Sequence, residues 1–106
     1  MIARIWHGYT SFENAKPYEE LLKHEIFKGI AAKQIKGYKK IELLKKLLEG
    51  ECEFITIMWF EDIDSVKGFM GEDYETAYVL PEAQQLLKRY DKRSAHYEIL
   101  HEVNYD

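Results

Sequence analysis

The sequence predicts an α+β fold, and three observations support that prediction. Residues 54–60 form an almost continuous apolar run typical of a strand. Elsewhere apolar residues recur at helical spacing, and glycines or prolines punctuate the chain between these segments. The composition, 46% hydrophobic and 32% charged over 106 residues, is typical of a globular protein with one core. We therefore predict a single α+β domain over residues 1–106.

The first third of the chain predicts a strand followed by a helix. Residues 2–9 alternate in the manner of a strand, and the polar residues 8–14 predict a loop. Pro17 suits the first turn of a helix, where its missing N–H costs nothing, and Gly29 is a suitable C-terminal stop. Residues 30–37 then form a connector.

Residues 39–48 have two interpretations. Their apolar residues lie at helical spacing, and leucine, lysine and glutamate are good helix formers. However, only the short turn at residues 49–51 separates this segment from the strand that follows, and a glycine in so short a loop is typical of a hairpin. We predict a strand here, against the local propensity.

The second half of the chain predicts two helices and a last strand. Apolar residues from 63 to 70 lie on one helical face, with Asp62 or Asp64 as the N-cap. A proline opens a second helix over residues 81–90, and the final strand runs from about residue 94 to residue 103. The resulting order, βαββα(α)β, is the split βαβ arrangement of ferredoxin-like folds, βαββαβ, with one additional helix.

The strand at residues 54–60 also predicts a homodimer. A sheet with helices on one face and water on the other alternates apolar with polar residues. This strand is apolar on both faces, interrupted only by Thr56. The helices cover one face, and too little chain remains to cover the other, so we expect a second copy to pack against it.

Charge and cysteine content exclude several classes of partner. The net charge is −4, and a basic segment (residues 28–46) precedes an acidic one (residues 61–75). These segments are typical of solvated faces, of a subunit contact or of a rim that attracts anions, and we predict no nucleic-acid partner.

No apolar run approaches the roughly 18 residues that span a bilayer, so we predict no membrane partner. The single cysteine, Cys52, and an N-terminus unlike a signal peptide favour a cytoplasmic location.

Several motifs resemble a known family. They are Ala3–Gly8, Ile35–Tyr38, Gly71–Glu75, Pro81–Ala83 and His96–Glu98, and together they cover essentially the whole chain. They resemble an uncharacterised bacterial subgroup of the antibiotic biosynthesis monooxygenase-like family. The resemblance implies a dimeric α/β barrel with a pocket between helices and sheet. Characterised members of that family include cofactor-independent monooxygenases of aromatic polyketides and haem-degrading oxygenases, and relatives of the same fold include proteins without known chemistry.

The residues that the haem-degrading members use do not carry over. Their first-strand asparagine falls near His7, their tryptophan near Phe69 and their iron-binding histidine near Val79. A haem ligand must offer a lone pair, which valine lacks, although the adjacent Tyr78 has a phenolic oxygen. We therefore predict no cofactor and no haem degradation.

Histidines and aromatic residues on the first and last strands, together with one aromatic residue of the helix at 63–70, are the best candidates for a site. We predict His7 and His96 as catalytic bases and Trp6, Tyr9, Phe69 and Tyr97 as substrate-binding residues. The alternative is that these side chains only pack in the core or the dimer interface. We predict no metal site, because His96 and His101 point to opposite faces of a strand and no third ligand is evident.

Two functions remain open. A monooxygenase-like enzyme acting on an aromatic or conjugated small molecule predicts an enclosed, aromatic pocket of roughly 300 Å³ or more with a histidine facing into it. A non-catalytic homodimer that binds a ligand or a partner predicts histidines buried in packing, with no cavity beside them.

Overall fold

Five antiparallel strands and a layer of helices make up the fold. The computed structural model describes all of residues 1–106. In chain order its elements are β1 (Ile2–Thr10), α1 (Phe12–Leu21), a π-helical turn (Leu22–Ile26), α2 (Phe27–Ala32), β2 (Tyr38–Leu48), β3 (Glu51–Phe60), α3 (Ile63–Met70), α4 (Pro81–Leu86), β4 (Leu87–Tyr90) and β5 (Ala95–Glu98). The strand order is β2-β3-β1-β4, with β5 also paired to β1. The predicted α+β, ferredoxin-like class is confirmed. None of the helices has the length and apolar character needed to cross a membrane.

The two faces of the sheet have different surroundings. Along β1, Arg4, Trp6 and Thr10 are buried beneath the helices, whereas Ile5 and His7 alternate with them and stay partly exposed. We call the first side the covered face and the second the open face. This alternation is the ordinary period of a strand, and it decides which side chains can meet.

The core lies between the covered face and the helices. Phe54 and Phe60 of β3 are 1% and 0% exposed. The ring of Phe54 meets that of Tyr18 of α1 edge-on, with centroids 4.9 Å apart. On the opposite face of the same strand lie Ile55 and Ile57, both half-buried. The run at residues 54–60 is therefore apolar on both faces, as predicted.

The first helical segment differs from the prediction at both ends. It begins one residue after β1, because the Ser11 hydroxyl accepts a hydrogen bond from Asn14 N (3.1 Å) and caps the helix. The predicted loop at residues 8–14 is therefore wrong, and Pro17 lies inside α1 rather than in its first turn. The helix also runs past Gly29 to Ala32, through the π-helical turn.

The strand predicted at residues 39–48 is confirmed. It is β2, which forms a hairpin with β3 through a turn in which Gly50 has a φ of +84°. Four lysines, at positions 39, 40, 45 and 46, lie on this strand at the edge of the sheet. Charged side chains on an edge strand oppose pairing with another chain, which gives part of the basic segment a structural role.

The end of the chain also differs from the prediction. The helix predicted over residues 81–90 ends at Leu86, and residues 87–90 form β4. The last strand covers only Ala95–Glu98. β5 pairs with Ile2–Ile5 and β4 with Gly8–Thr10, so that two short strands share the edge of β1. Pairing with this edge overrides the helical period of the sequence.

Two glycines provide a matched test of backbone and steric constraints. Gly37 and Gly50 both have a φ of +84°, a region that side chains disfavour. A Cβ at Gly37 would overlap the Ser65 side chain, whereas one at Gly50 would have no neighbour within 4 Å. We expect Gly50→Ala to lower the free energy of unfolding by about 1 kcal/mol and Gly37→Ala by about 2 kcal/mol. Urea denaturation measures the free energy of unfolding of both variants. Equal losses in the two would show that the overlap with Ser65 adds nothing to the cost of the positive φ.

Candidate functional site

A small cavity lies between the covered face and the helices. Its volume is about 50 Å³, and 12 of the 15 residues around it are hydrophobic. Four of them are aromatic: Trp6, Tyr18, Phe27 and Tyr78. The cavity is much smaller than the pocket of roughly 300 Å³ expected of the enzyme, and no histidine lines it. That expectation is therefore wrong for this structure.

Trp6 forms one wall of the cavity. Its indole Nε1 donates to the Asp91 carbonyl oxygen at 2.9 Å, and its ring lies 6.1 Å from that of Tyr90. The ring also lies directly over Gly8, where a Cβ would overlap it. The indole can therefore occupy this position only because residue 8, on the same face of β1, has no side chain.

Arg4 is the one charged residue that lines the cavity. It is 2% exposed, and its guanidinium donates to the carbonyl oxygens of Tyr74 and Thr76, the latter at 2.8 Å. It also donates to His96 Nε2 at 2.9 Å. No carboxylate pairs with it; burial lowers the pKa of Arg4 to about 10, so that it stays charged at neutral pH. Burying such a charge without a counter-charge is costly.

His96 of β5 contacts Arg4 from the neighbouring strand and does not line the cavity. Because an arginine can only donate, His96 Nε2 accepts and its proton resides on Nδ1, which is buried without a partner. Burial, and then the charge of Arg4, lower the pKa of His96 below its ordinary value of 6.5. The imidazole is therefore neutral at neutral pH, and neither ring nitrogen is free to accept a proton in this arrangement.

The lowered pKa of His96 makes stability depend on pH. Because the folded chain binds this proton more weakly than the unfolded chain does, stability is lost as the pH falls through 6.5 towards the folded pKa and is fully present above 6.5. We expect wild type to lose more free energy of unfolding between pH 7.5 and pH 5 than His96→Gln does. Urea midpoints at several pH values measure this, with His101→Gln as the control. Parallel pH profiles for wild type and His96→Gln would contradict it.

The segment between α3 and α4 closes one side of the cavity. Arg4 holds it at Tyr74 and Thr76, and its backbone also pairs with the segment before β5 through Ser94 N to Glu75 O (2.6 Å). Tyr78 and the two residues after it face the cavity. Arg4 therefore both lines the cavity and positions one of its walls.

The six predicted site residues divide between the two faces. Trp6, Phe69 and His96 lie on the helix side, whereas His7, Tyr9 and Tyr97 lie on the open face. The register decides this, since Arg4 faces His96 across the strands and His7, three residues further along, points the opposite way. The two histidines are therefore not brought together.

Phe69 packs beside the cavity without lining it. Its ring lies 4.9 Å from that of Tyr78 and 5.9 Å from the Arg4 guanidinium. Tyr9 donates to Glu53 at 3.2 Å under the Arg89 guanidinium, and Tyr97 is 58% exposed.

His7 has a partner that the sequence did not indicate. Its Nδ1 lies 3.1 Å from Asp91 Oδ2, and its backbone N donates to the same oxygen at 3.2 Å. This pair borders a shallow, mostly apolar depression of about 450 Å³ on the open face, which Tyr97 also lines.

Arg4 is not among the residues predicted for the site, although the sequence contains a signal for it. Arg4 stands between Ile2 and Trp6, on the side of β1 that alternation assigns to the core. A charged residue in a buried register is unusual and marks a position that deserves a functional explanation.

Similarity to known proteins is detected in structure but not in sequence. No family model matches the chain, and no curated protein does either. Among solved structures, a candidate antibiotic biosynthesis monooxygenase from Bacillus cereus superposes with a TM-score of 0.68 at 15% identity, covering 98% of this chain and 97% of that one. A second candidate monooxygenase, from Deinococcus radiodurans, has a TM-score of 0.64 at 16% identity, covering 100% and 99%.

The chain has the fold of an antibiotic biosynthesis monooxygenase-like domain. The resemblance predicted from its motifs is confirmed at the level of the fold. The haem degrader MhuD of Mycobacterium tuberculosis, with two haems bound in its active site, shares this monooxygenase-like fold with a TM-score of 0.60 at 15% identity, covering 98% of this chain and 100% of that one.

The residues around the cavity do not fit haem. Val79, at the position predicted for an iron-binding histidine, faces the cavity and has no lone pair to offer. A cavity of about 50 Å³ is also far smaller than a porphyrin. We therefore derive no chemistry through haem.

Proposed function

We propose that the protein binds a conjugated small molecule between its helices and its sheet and oxidises it as a cofactor-independent monooxygenase. The observation that carries this proposal is the aromatic lining of the cavity, in a fold shared with candidate monooxygenases. Aromatic walls hold a flat apolar ligand, and a few polar groups orient it.

The proposed reaction needs no electrons from the protein. A substrate with an activated methylene group reacts as R₂CH₂ + O₂ → R₂C=O + H₂O. One oxygen atom enters the substrate, the other leaves as water with the two hydrogens, and the substrate carbon supplies all four electrons. The protein binds and orients the substrate: Trp6 and Tyr78 contact its rings, Arg4 binds its oxygen, and His96 is a positioning residue that holds Arg4.

A ring-containing substrate requires the cavity to expand. Tyr18, Leu22 and Ile26 cover it from the first helical segment. This segment contains Pro17, which cannot donate a helical hydrogen bond, and the π-helical turn at Leu22–Ile26. Both features weaken the regular hydrogen-bond ladder, so this segment is the wall that we expect to move outward.

The two histidines test where the reaction occurs. With anthrone as the activated-methylene probe, we expect His96→Leu to lower O₂-dependent carbonyl formation by about tenfold or more, because Arg4 loses its acceptor. His7→Leu, on the open face, is the matched control and is expected to retain the rate. Loss of the rate in His7→Leu alone would place the site on the open face instead.

A second candidate function is a non-catalytic domain that binds a small molecule. The observation that favours it is that the cavity contains neither a carboxylate nor a free imidazole to act as a base. A panel of phenols and quinols that bind, but give no O₂ uptake and no product, would support this function and overturn the monooxygenase.

We also propose that the protein is a homodimer formed through the open face. Ile5, Ile55 and Ile57 form its apolar centre. Polar contacts surround them, such as Trp59 Nε1 donating to Glu42 (2.6 Å) and the His7–Asp91 pair. An apolar centre with a polar rim is typical of an interface between subunits. A second copy of the same face would bury these side chains.

Two lysine substitutions test the dimer. We expect Ile57→Lys to weaken self-association by about thirtyfold or more, because it places a charge at the apolar centre. Leu47→Lys is the control, since Leu47 is 67% exposed on β2 and points away from the open face. Sedimentation equilibrium measures both. A monomeric wild type, or an Ile57→Lys variant as dimeric as wild type, would contradict the proposal.

A further inference from the structure

We infer that the ligand of the cavity brings its own negative charge, an ionised oxygen on an otherwise apolar molecule, and that Arg4 is the counter-charge. This inference rests on the proposed place of the ligand, between helices and sheet. It does not rest on the proposed reaction with oxygen.

The three arginines of the chain differ in their partners. Arg89 pairs with Glu51 at 2.6 Å, and Arg93 pairs with Asp73 at 3.0 Å and Glu75 at 3.1 Å. Both of these arginines are exposed, where water already solvates the charge. Arg4 is the buried one, and it is the one without a carboxylate. The residue that most needs a counter-charge therefore has no carboxylate in contact with it.

The groups that face Arg4 do not neutralise it. From the segment before α4 come two backbone carbonyls, from β5 comes the neutral His96, and from α3 comes the ring of Phe69. These are dipoles and a π-face without net charge. No aspartate or glutamate lines the cavity either, so that a negative charge next to Arg4 has to arrive with the ligand.

The rest of the cavity defines the rest of the ligand. Apart from Arg4, its lining consists of hydrophobic residues and the hydroxyl-bearing Thr56 and Ser94. A ligand with a single anionic end and an apolar body matches this arrangement, whereas a phosphorylated or polyhydroxylated molecule does not. At about 50 Å³ the cavity admits about four or five non-hydrogen atoms before any wall moves.

Arg4 also has a structural role, since it holds Tyr74 and Thr76. The affinities of charged and neutral ligands separate that role from charge recognition. If Arg4 only holds Tyr74 and Thr76 in place, its loss would weaken the binding of charged and neutral ligands to the same extent. If Arg4 is the counter-charge, its loss would weaken only the binding of the charged ligand.

Matched acids and amides test the inference. We expect wild type to bind propionate in preference to propionamide, and benzoate in preference to benzamide, by about tenfold to a hundredfold, the range of a charge-assisted hydrogen bond. Resonances of the Trp6 indole and of Ser94 in an NMR titration report binding inside the cavity. We expect Arg4→Met to abolish the preference and Arg4→Lys to keep part of it. Arg93→Met, which also removes a contact to the segment before α4, should leave it unchanged.

A coloured phenol distinguishes the two sources of an anionic oxygen. para-Nitrophenol reports its own ionisation by absorbance, and Arg4 is expected to lower the pKa of the bound phenol in wild type but not in Arg4→Met. A lowered pKa of bound para-nitrophenol without benzoate binding would identify a phenolate or enolate site. Benzoate binding without a lowered pKa of para-nitrophenol would identify a carboxylate site.

Several outcomes would overturn the inference. Equal affinity for each acid and its amide would do so, as would the absence of shifts in the cavity with any of these anions. If Arg4→Met does not fold, the affinities of wild type and of Arg4→Lys for each acid and its amide still test the inference. Anion binding without oxidation of anthrone would refute only the proposed reaction, and oxidation without anion preference would refute only this inference.

Discussion

Phe54→Ala is expected to lower the free energy of unfolding by about 3–5 kcal/mol, the usual cost of removing a fully buried ring. Phe54 is 1% exposed at the centre of β3, and its ring supports Tyr18, a wall of the cavity. The loss combines the transfer free energy of the ring with the cavity left beneath α1. Urea denaturation monitored by circular dichroism measures it.

A conservative variant at the same position serves as the control. Phe54→Leu keeps most of the volume, and we expect it to cost about 1 kcal/mol. If Phe54→Ala cost no more than Phe54→Leu, the ring would not support α1 as the structure indicates. Because Tyr18 faces the cavity, the alanine variant should also lose affinity for any ligand bound there.

The strands were predictable where composition and turn chemistry agreed. The run at residues 54–60 has strand-forming residues on both faces, and a glycine turn precedes β3. In β2 the helical spacing of leucines was misleading, because the hairpin, not local propensity, determines the conformation there. Short turns therefore predicted this half of the sheet better than periodicity did.

The helix boundaries were not predictable from prolines and glycines alone. Ser11 caps α1 earlier than Pro17 indicated, and Gly29 is tolerated within α2. At residues 87–90, the apolar residues Leu87 and Tyr90 lie at helical spacing, which predicts a helix. Only the free edge of β1, a tertiary feature, selects the strand.

The candidate site was partly predictable. Trp6 and His96 were among the predicted site residues. Trp6 lines the cavity, and His96 contacts Arg4. The division of the two histidines between faces was not predictable, since it follows from the register that places Arg4 opposite His96. The acidic segment proves largely structural as well: Asp62 caps α3, and Asp73 binds Arg93.

Gly8→Ala is expected to lower the free energy of unfolding by about 3 kcal/mol and to displace Trp6. The new Cβ would overlap the outer edge of the indole and lie 3.0 Å from Leu87 Cδ2. The indole is rigid and its Nε1 is held by the Asp91 carbonyl, so that relief requires this hydrogen bond to break or β4 to shift. The Trp6 indole resonance should therefore move, while that of Trp59, which donates to Glu42 on the open face, should not.

A second glycine gives the matched control. Gly29 lies within α2, and a Cβ there would have no neighbour within 4 Å. Gly29→Ala is therefore expected to stabilise the protein by about 0.5–1 kcal/mol, because alanine is the better helix former. If Gly8→Ala were as stable as wild type, with the Trp6 resonance unmoved, the indole would not occupy the space over Gly8. The cavity wall would then lie elsewhere. If instead the resonance moves and the acid–amide preference persists, Trp6 shapes the cavity without contributing to the recognition of charge.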